Sequence, residues 1–243
     1  MNATTPGALP PRPRLLMKRR NPAQWEAILK ACTVAPNTAR RWANVMPLVL
    51  REDTFSAGEL DLIDFLPEVV HESANLERLE ESLNYSPMGL LETFNRPGSI
   101  RITPAEADRF GRITGKRAAD QPAIANIVYG GAWGRKNLGN TQPGDGWLFR
   151  GRSPIQITGR GNYERMGDLM RQDLTSVPDL LAQPFYGLTS SVFWWEDRIP
   201  DSMLGETTSI RKRVNGGQIG LAKVQHLTDL LRRALIAEAE ADL

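Results

Sequence analysis

The chain has 243 residues, of which 41% are hydrophobic and 24% are charged; these are the proportions of an ordinary soluble protein with a core. It has a single cysteine, Cys32, and two histidines, His71 and His226. This content excludes a disulfide framework and argues against a structural zinc site. The sequence contains no run of 18 apolar residues, so no membrane span is predicted. The basic N-terminus lacks the apolar segment of a signal peptide.

The net charge of +2 is unevenly distributed. Residues 1–51 contain nine Lys or Arg and one acid, whereas residues 52–243 contain 21 basic and 27 acidic residues. We predict that residues 1–20, which contain four prolines, form a disordered basic arm and that residues 21–243 form a single domain. Such an arm either contacts an anionic polymer or surface, or only aids solubility.

Cap residues and apolar periodicity predict helices along most of the chain. Asn21-Pro22 and Thr103-Pro104 are N-cap signals followed by proline, and Ser56 with Glu59 has the spacing of a capping box. The predicted helices cover about 21–32, 37–50, 56–70, 76–83, from 86, from 103, 120–128, 163–174, 185–197 and 219–241. The first two make up a helical N-terminal segment over residues 21–55. Pro67 is expected to kink its helix.

Residues 130–161 are rich in glycine and are predicted to be loop or short strand, with one small β-hairpin from about Trp147 to Thr158. The predicted fold class is therefore mainly α. Gln, Thr, Asn and Tyr side chains in residues 144–163 supply neutral hydrogen-bonding groups, and the glycines allow a ligand to approach the backbone closely. Since no P-loop pattern is present, nucleotide binding is not predicted.

Glu72 is a candidate general acid because it follows the apolar residues Phe65, Leu66, Val69 and Val70. Burial against such a surface raises the pKa of a carboxyl group. The alternative is a helix-end glutamate held by a nearby arginine.

Glu81 is the second candidate carboxylate, although Glu80 and Glu81 also fit the solvated face of a leucine-striped helix. On one straight helix, Glu72 and Glu81 would lie on opposite faces and about 13 Å apart along the axis. The two can cooperate only if the chain turns between them, and Ala74-Asn75 is the candidate break.

Taken together, these segments resemble glycoside hydrolase family 19, and more closely its phage endolysin branch. The resemblance runs from about Asn21 to the last helix. The motifs that carry it are His71-Glu72-Ser73, Glu81-Ser82-Leu83-Asn84-Tyr85-Ser86, the segment 124–130, the segment 144–163 and Val214-Asn215-Gly216-Gly217. The resemblance implies a two-lobed, lysozyme-like fold with a central substrate cleft.

The resemblance also implies an inverting glycosidase that cleaves a β-1,4 bond beside N-acetylated sugars. Glu72 matches the general acid and Glu81 the base that activates water, and inversion requires their carboxyl groups to lie about 6.5–9.5 Å apart. Thr158 matches the residue that helps to hold the attacking water. The implied substrate-binding residues are His71, Tyr129, Gln156, Asn162, Tyr163, Asn215 and Lys223. No metal or organic cofactor is implied.

The chain departs from the family pattern at three places. Ala74-Asn75 replaces the Gly-Gly that commonly follows His-Glu-Ser, and the Gly-Arg-Gly stretch reads Gly151-Arg152-Ser153. The arginine that usually follows Asn-Gly-Gly is best matched by Lys223, which lacks the guanidinium fork and would hold a carboxylate less rigidly.

We expect peptidoglycan as the substrate, because one cysteine and no export signal distinguish this chain from the secreted, disulfide-bonded plant chitinases of the family. The expected protein is a monomeric endolysin-type muramidase. It would stay in the host cytoplasm until a holin or lysis gives it access to the wall, where the basic arm would favour anionic surfaces. Chitin hydrolysis and a non-catalytic wall-binding or virion role remain alternatives.

Residues 31–42 also resemble a helix-turn-helix, with Arg40 and Arg41 placed to reach phosphates. The endolysin branch has a similar helical pair that packs on the body, so no nucleic-acid partner is expected. Salt-dependent retention of residues 1–55 on DNA would support the alternative. Phe193, Trp194 and Trp195 fit core and cleft wall better than a sugar-stacking platform.

Overall fold

A computed structural model describes residues 16–241, and their regular structure is helical. The α-helices are α1 (Pro22–Ala31), α2 (Pro36–Ala43), α3 (Met46–Val49), α4 (Glu59–Glu72), α5 (Pro87–Phe94), α6 (Pro104–Phe110), α7 (Gln121–Val128), α8 (Gly131–Leu138), α9 (Asp145–Leu148), α10 (Arg160–Met170), α11 (Pro184–Arg198), α12 (Thr207–Asn215) and α13 (Leu221–Ala241). Short 3₁₀ helices cover Pro178–Ala182 and Asp201–Met203. The prediction of a mainly α fold is confirmed. No helix in this part of the chain is long and apolar enough to cross a membrane.

Local sequence signals set several helix starts. Asn21 and Thr103 each form a capping box, with Gln24 and Glu106 respectively. The box predicted at Ser56 is wrong: α4 begins after Gly58 without a side-chain cap, and the Ser56 hydroxyl donates to Asp201 instead, at 2.8 Å. Long-range partners have taken the groups that the local cap would have used.

Other elements differ from the periodicity-based prediction. The single helix expected over 37–50 is divided into α2 and α3, and α8, α9 and α12 were not predicted. No helix forms over 76–83. In contrast, α4 continues through Pro67.

The β-hairpin predicted around Trp147 to Thr158 is absent. Its first residues belong to α9, and only isolated bridges follow, in which Arg152 pairs with Ile157 and with Glu80. Ser153 and Gln156 both have positive φ angles, 73° and 57°. Two left-handed residues three positions apart bend the chain too sharply for paired strands to extend.

Three apolar clusters organise the described part of the chain. The first joins α1–α4 to α11–α13, the second joins α5–α7, and the third surrounds Phe149 and Tyr163. The first two clusters have no residue in common. The chain passes from the first, at Leu76, to the second, at Leu83, so the segment between Glu72 and Glu81 is the connection between them.

Residues 16–20 pack on the body, although the sequence places them in the disordered arm. Met17 is buried and its backbone N–H donates to the carbonyl of Glu52 at 3.0 Å. Arg20, also buried, contacts Glu59 at 2.8 Å and Glu238 at 2.9 Å. The ordered body therefore begins before Asn21, because a buried cation with two carboxylate partners holds this segment. Residues 1–15 of the predicted arm lie outside the described residues.

The helices that resemble a helix-turn-helix are part of the core. α1 packs against α2, and the α2 residues Ala39 and Trp42 are completely buried. The exposed Arg40 and Arg41 side chains lie 3.9 Å from Glu26 and 3.6 Å from Glu77. This geometry matches the packed helical pair that the resemblance implied.

Candidate active site

Glu72 is the last residue of α4, a helix that is buried over most of its length. Its carboxylate is about one-fifth exposed. Arg211, which is 1% exposed, donates from Nη2 to Glu72 and from Nη1 to Glu68, one turn earlier on α4. One guanidinium from α12 therefore holds two carboxylates on the same face of α4.

Glu68 is the more unusual of these carboxylates. It is 1% exposed, and burial raises its pKa to about 7, although the charge and hydrogen bond of Arg211 act in the opposite direction. The nearby carboxylates of Glu72 and Asp64 add to the increase. The cluster therefore contains one cation and a carboxyl group that takes up a proton near neutral pH.

His71 lies beneath the loop that joins α12 to α13. A side chain on Gly220 would overlap the imidazole ring, and Gly220 also has a φ of 81°, which only glycine adopts readily. Burial lowers the pKa of His71, and the charges of Arg211 and Lys223 lower it further. The ring is therefore neutral at pH 7.

Asn215 closes the same loop: its side-chain amide donates to the carbonyl of Ile219 at 2.8 Å, and Arg211 Nε donates to the same oxygen at 2.8 Å. Lys223 is exposed, and its charge acts on His71. The cation that contacts Glu72 in the structure is Arg211 and not Lys223, to which the sequence assigns a carboxylate-orienting role.

The chain turns sharply after Ser73, as cooperation between the two glutamates requires. Ala74, Asn75 and Leu76 have φ angles of 52°, 61° and 64°, three consecutive left-handed residues without a glycine. Leu76 is held by two contacts: its N–H donates to Ser73 Oγ at 2.9 Å, and its carbonyl accepts from Trp42 Nε1 at 3.0 Å. The predicted break at Ala74-Asn75 is confirmed.

Glu81 lies beyond this turn and is held by neutral donors. The Tyr129 hydroxyl donates to Oε2 at 2.7 Å, and the Gly151 N–H donates to Oε1. The Glu81 N–H donates back to the Gly151 carbonyl at 2.9 Å. A carboxylate oxygen can accept two hydrogen bonds. Each oxygen of Glu81 accepts one from these donors, so each retains capacity for a water molecule.

Gln156 and Thr158 approach Gly151 on the side that also faces the Glu81 carboxylate. A Cβ atom at Gly151 would lie 2.6 Å from Gln156 Oε1, 3.1 Å from Thr158 Oγ1 and 3.2 Å from Glu81 Oε1. Asn162 supports this segment by donating to the Thr158 carbonyl at 2.7 Å. The structure thus brings Glu81, Gln156 and Thr158 together around a residue that must lack a side chain.

Tyr163 is completely buried, so the substrate contact predicted for it is not possible in this structure. Its hydroxyl donates to the Arg150 carbonyl at 2.8 Å and accepts from Arg152 Nη1 at 3.1 Å. Burial raises the pKa of Tyr163 to about 12. Arg150 and Arg152 both lie within ion-pair distance of Glu80. Tyr163 therefore holds the backbone at Arg150, the residue before Gly151, whose N–H contacts Glu81.

The arrangement has the components of acid–base hydrolysis. One carboxylate is bound to a guanidinium, a second is bound to neutral donors, and a hydroxyl and an amide lie beside the second. Among the described residues, no three His, Cys, Asp or Glu side chains lie close enough together to bind a metal ion. Arg211 and Glu68 are the residues that the sequence did not reveal. The available signal was helical spacing, because Arg211 precedes Asn215 by one turn.

Comparison with known proteins gives the following relatives. A Haemophilus influenzae protein described as a glycosyl hydrolase family 19 domain-containing protein is 30% identical over 157 residues, which are 65% of this chain and 71% of that protein. Chitinase 11 of Oryza sativa subsp. japonica is 34% identical over 65 residues, 26% of this chain and 25% of that protein. Chitinase C of Streptomyces griseus has 14% identity and a TM-score of 0.44 over 87% of this chain and 91% of its own. No protein-family model matches the chain.

Proposed function

The chain belongs to glycoside hydrolase family 19, and we propose that it is a muramidase of the endolysin type. It cleaves the β-1,4 bond between N-acetylmuramic acid and N-acetylglucosamine in bacterial peptidoglycan, with inversion. The observation that carries this proposal is the pair of carboxylates on either side of the left-handed turn, Glu72 bound to Arg211 and Glu81 bound to Tyr129 and Gly151.

Glu72 is the proposed general acid. Arg211 contacts Oε1 of Glu72, so Oε2 is the oxygen from which the proposed proton transfer takes place. As the glycosidic bond breaks, this proton moves to the leaving oxygen of the sugar. Arg211 fixes the direction of the carboxyl group because its own guanidinium is held by Glu68 and by the carbonyl of Ile219.

Glu81 is the proposed base. It takes a proton from a water molecule, whose oxygen attacks the anomeric carbon from the side opposite to the leaving group and gives the inverted product. Thr158 Oγ1, on the same side of Gly151 as Glu81 Oε1, is placed to hold this water. Tyr129 and the Gly151 N–H keep the carboxylate from rotating away.

Two features support peptidoglycan as the polymer. The only cysteine is buried and free, so the fold holds without the disulfides of secreted plant chitinases. The N-terminal 51 residues have eight more basic than acidic side chains, which favours approach to an anionic wall. In the proposed setting the enzyme accumulates in the host cytoplasm and reaches the wall after holin release or lysis.

Chitin hydrolysis is the second candidate, favoured by the local similarity to the rice protein named Chitinase 11. Both polymers contain β-1,4-linked N-acetylated sugars, and the acid–base pair described above would act on either. The two polymers differ in the groups attached to their sugars. The two candidate functions must therefore be distinguished by measuring activity on each polymer.

The test compares wild type, Glu72→Gln and the control Glu92→Gln, which changes an exposed carboxylate on α5. We expect wild type and the control to clear outer-membrane-stripped Gram-negative cells with release of reducing ends. Loss of a general acid lowers the rate by about 10²–10⁴-fold, so Glu72→Gln should fail. The anomeric form of the first product, read by NMR, tests inversion.

Equal clearing by wild type and Glu72→Gln would exclude Glu72 as the acid. Cleavage of soluble chitin oligomers without clearing of cells would replace peptidoglycan by chitin. Binding to walls without any reducing-end release would indicate a non-catalytic role.

A further inference from the structure

A small pocket of about 110 Å³ lies between α10 and α11. Its α10 side is formed by Asn162, Arg165 and Met166, residues whose spacing places them on one face of the helix. Met166 is buried and closes the floor, whereas Arg165 is about half exposed at the rim. Since a cavity of about 150 Å³ holds one benzene molecule, this pocket fits a side group of a few heavy atoms and not a whole N-acetylated sugar.

The α11 side is formed by Trp194, Asp197 and Arg198. Trp195 is buried in the core, where it donates to Asp61 at 2.8 Å, but Trp194 is only half-buried and lines the pocket. The guanidinium of Arg198 lies 5.5 Å from the Trp194 ring centroid. Of the two tryptophans, Trp194 is therefore the one that faces the pocket.

The rim of the pocket has more positive than negative charge. Arg165 binds both oxygens of Asp197, at 2.5 Å and 3.3 Å, and Arg198 Nε lies 3.7 Å from the same carboxylate. Two guanidinium groups share one carboxylate, so the rim carries a net charge of +1. An anion entering the pocket would meet the forked donors that bind carboxylates best.

The pocket adjoins the candidate active site through shared residues. Ile157 lines the pocket, and the next residue, Thr158, faces Gly151 and Glu81. Asn162 lines the pocket and donates to the Thr158 carbonyl. Residues 157–162 therefore border both the pocket and the candidate active site, so a branch of a glycan held beside Glu81 would have the pocket within its surroundings.

Resting on the proposed function, we infer that this pocket binds an acidic peptide branch of the glycan, with Arg165 and Arg198 receiving a carboxylate and the apolar floor receiving a small side chain. Peptidoglycan carries such a branch on N-acetylmuramic acid, whereas chitin is neutral and unbranched. The pocket would thus make the enzyme prefer the peptide-bearing polymer.

The first experiment measures binding and does not depend on hydrolysis. A soluble N-acetylmuramoyl peptide with free carboxylates is titrated into Glu72→Gln protein by NMR, beside the same compound with its carboxylates amidated. We expect tighter binding of the acidic compound. In the Arg165→Gln/Arg198→Gln background, affinity for the acidic compound should fall about tenfold, the effect of one lost charged hydrogen bond, while affinity for the amidated compound stays unchanged.

Two further variants test whether affinity for the acidic compound follows the charge at the rim of the pocket. Asp197→Asn removes the negative charge from the rim and should tighten binding of the acidic compound. Arg233→Gln changes an exposed arginine on α13 and should leave it unchanged. Circular dichroism and melting temperature show whether each variant is folded; these positions are exposed, and such substitutions cost little stability.

The second experiment measures hydrolysis of peptidoglycan and of the same glycan stripped of its peptides by an amidase. Wild type should favour the peptide-bearing form, and Arg165→Gln/Arg198→Gln should lose this preference while still cleaving the stripped glycan. If the variant lost activity equally on both substrates, or if wild type showed no preference, the pocket would not bind the peptide branch. The two arginines would then only connect α10 and α11. Acidic-peptide binding without hydrolysis of either glycan would overturn the proposed function and leave the pocket assignment intact.

Discussion

The two candidate catalytic carboxylates are held by different kinds of contact. Glu72 belongs to a buried ionic cluster, in which Arg211 from α12 serves Glu68 and Glu72 together. Glu81 is held by a tyrosine hydroxyl and a backbone N–H, both neutral, within a glycine-rich segment. The first region depends on compensation of charge, and the second depends on close approach of the backbone.

This difference predicts how each region fails. In a buried ionic cluster, removing one charge leaves another without compensation, so the loss is large and appears in stability. Around a glycine, adding a single carbon displaces the groups that need the space, so the loss appears first in activity. The four predictions below test this contrast, from the largest expected effect to the smallest.

Arg211→Met should lower the free energy of unfolding by about 3–5 kcal/mol, the cost of breaking a buried ion pair from one side. Urea denaturation measures this loss. Arg213→Met, two residues later on α12 and exposed, should change it by less than about 0.5 kcal/mol. Combining Arg211→Met with Glu68→Gln should recover part of the loss. If both arginine variants are equally mild, the ionic description of the Glu72 region fails.

Glu68→Gln should flatten the dependence of stability on pH. The pKa of Glu68 is about 7 in the fold against an ordinary value of 4.5, so the folded protein keeps this proton to higher pH than the unfolded chain does. Stability is therefore greatest below pH 4.5 with respect to this group and is lost as the pH rises through 7. The difference corresponds to at most about 3 kcal/mol.

The measurement is a series of urea denaturation curves from pH 4 to pH 8, with Glu92→Gln as the control that keeps the wild-type slope. Burial also raises the pKa values of Asp61 and Asp64, so some slope of the same sign should remain. A Glu68→Gln protein with the full wild-type slope would show that Glu68 is already ionised in the fold.

Gly151→Ala should reduce activity more than stability. The new methyl group meets Gln156, Thr158 and Glu81 at 2.6–3.2 Å, and such overpacking costs about 1–3 kcal/mol. A displacement of about 1 Å at the reacting groups can cost about 100-fold in rate. The matched control is Gly161→Ala on α10, where the new carbon has no contact closer than 3.5 Å. Loss of stability without loss of kcat would contradict the role assigned to this close approach.

Tyr129→Phe should have the smallest effect. It removes only the 2.7 Å hydrogen bond to Glu81, which is worth about 1 kcal/mol in stability. We expect kcat to fall several-fold at nearly constant KM, because Tyr129 orients the proposed base and does not need to touch the sugar. Tyr186→Phe, a half-buried tyrosine on α11, is the control. If Tyr129→Phe lowered the free energy of unfolding as much as Arg211→Met does, the contrast between the two regions would be lost.

The sequence predicted features that are encoded locally. The Asn21 and Thr103 caps, the position of Glu72 at a helix end and the break after Ser73 all depend on neighbouring residues. Ionic partners were not predictable in this way, because Arg211 and Glu72 are 139 residues apart in the chain. Lys223 was chosen for that role by motif position alone.

The leucine stripe over 76–83 failed for a different reason. Leu76 packs in the first apolar cluster and Leu83 in the second, so their helical spacing does not reflect one buried face. Periodicity assumes a single core, and here the chain crosses between two. The hairpin predicted in the glycine-rich segment is wrong for a similar reason. The left-handed φ angles at Ser153 and Gln156 leave no periodic pattern in the sequence.

The left-handed turn also extends the set of positions at which mutation can alter catalysis. Three residues in this conformation are costly, and the carbonyl of Leu76 at its end is bound by Trp42 on α2. A helix that contributes none of the candidate site residues thus helps to fix the position of Glu81 relative to Glu72. Random mutagenesis screened for lost hydrolysis, with folding intact, should therefore recover substitutions on the N-terminal helices as well as around the two carboxylates.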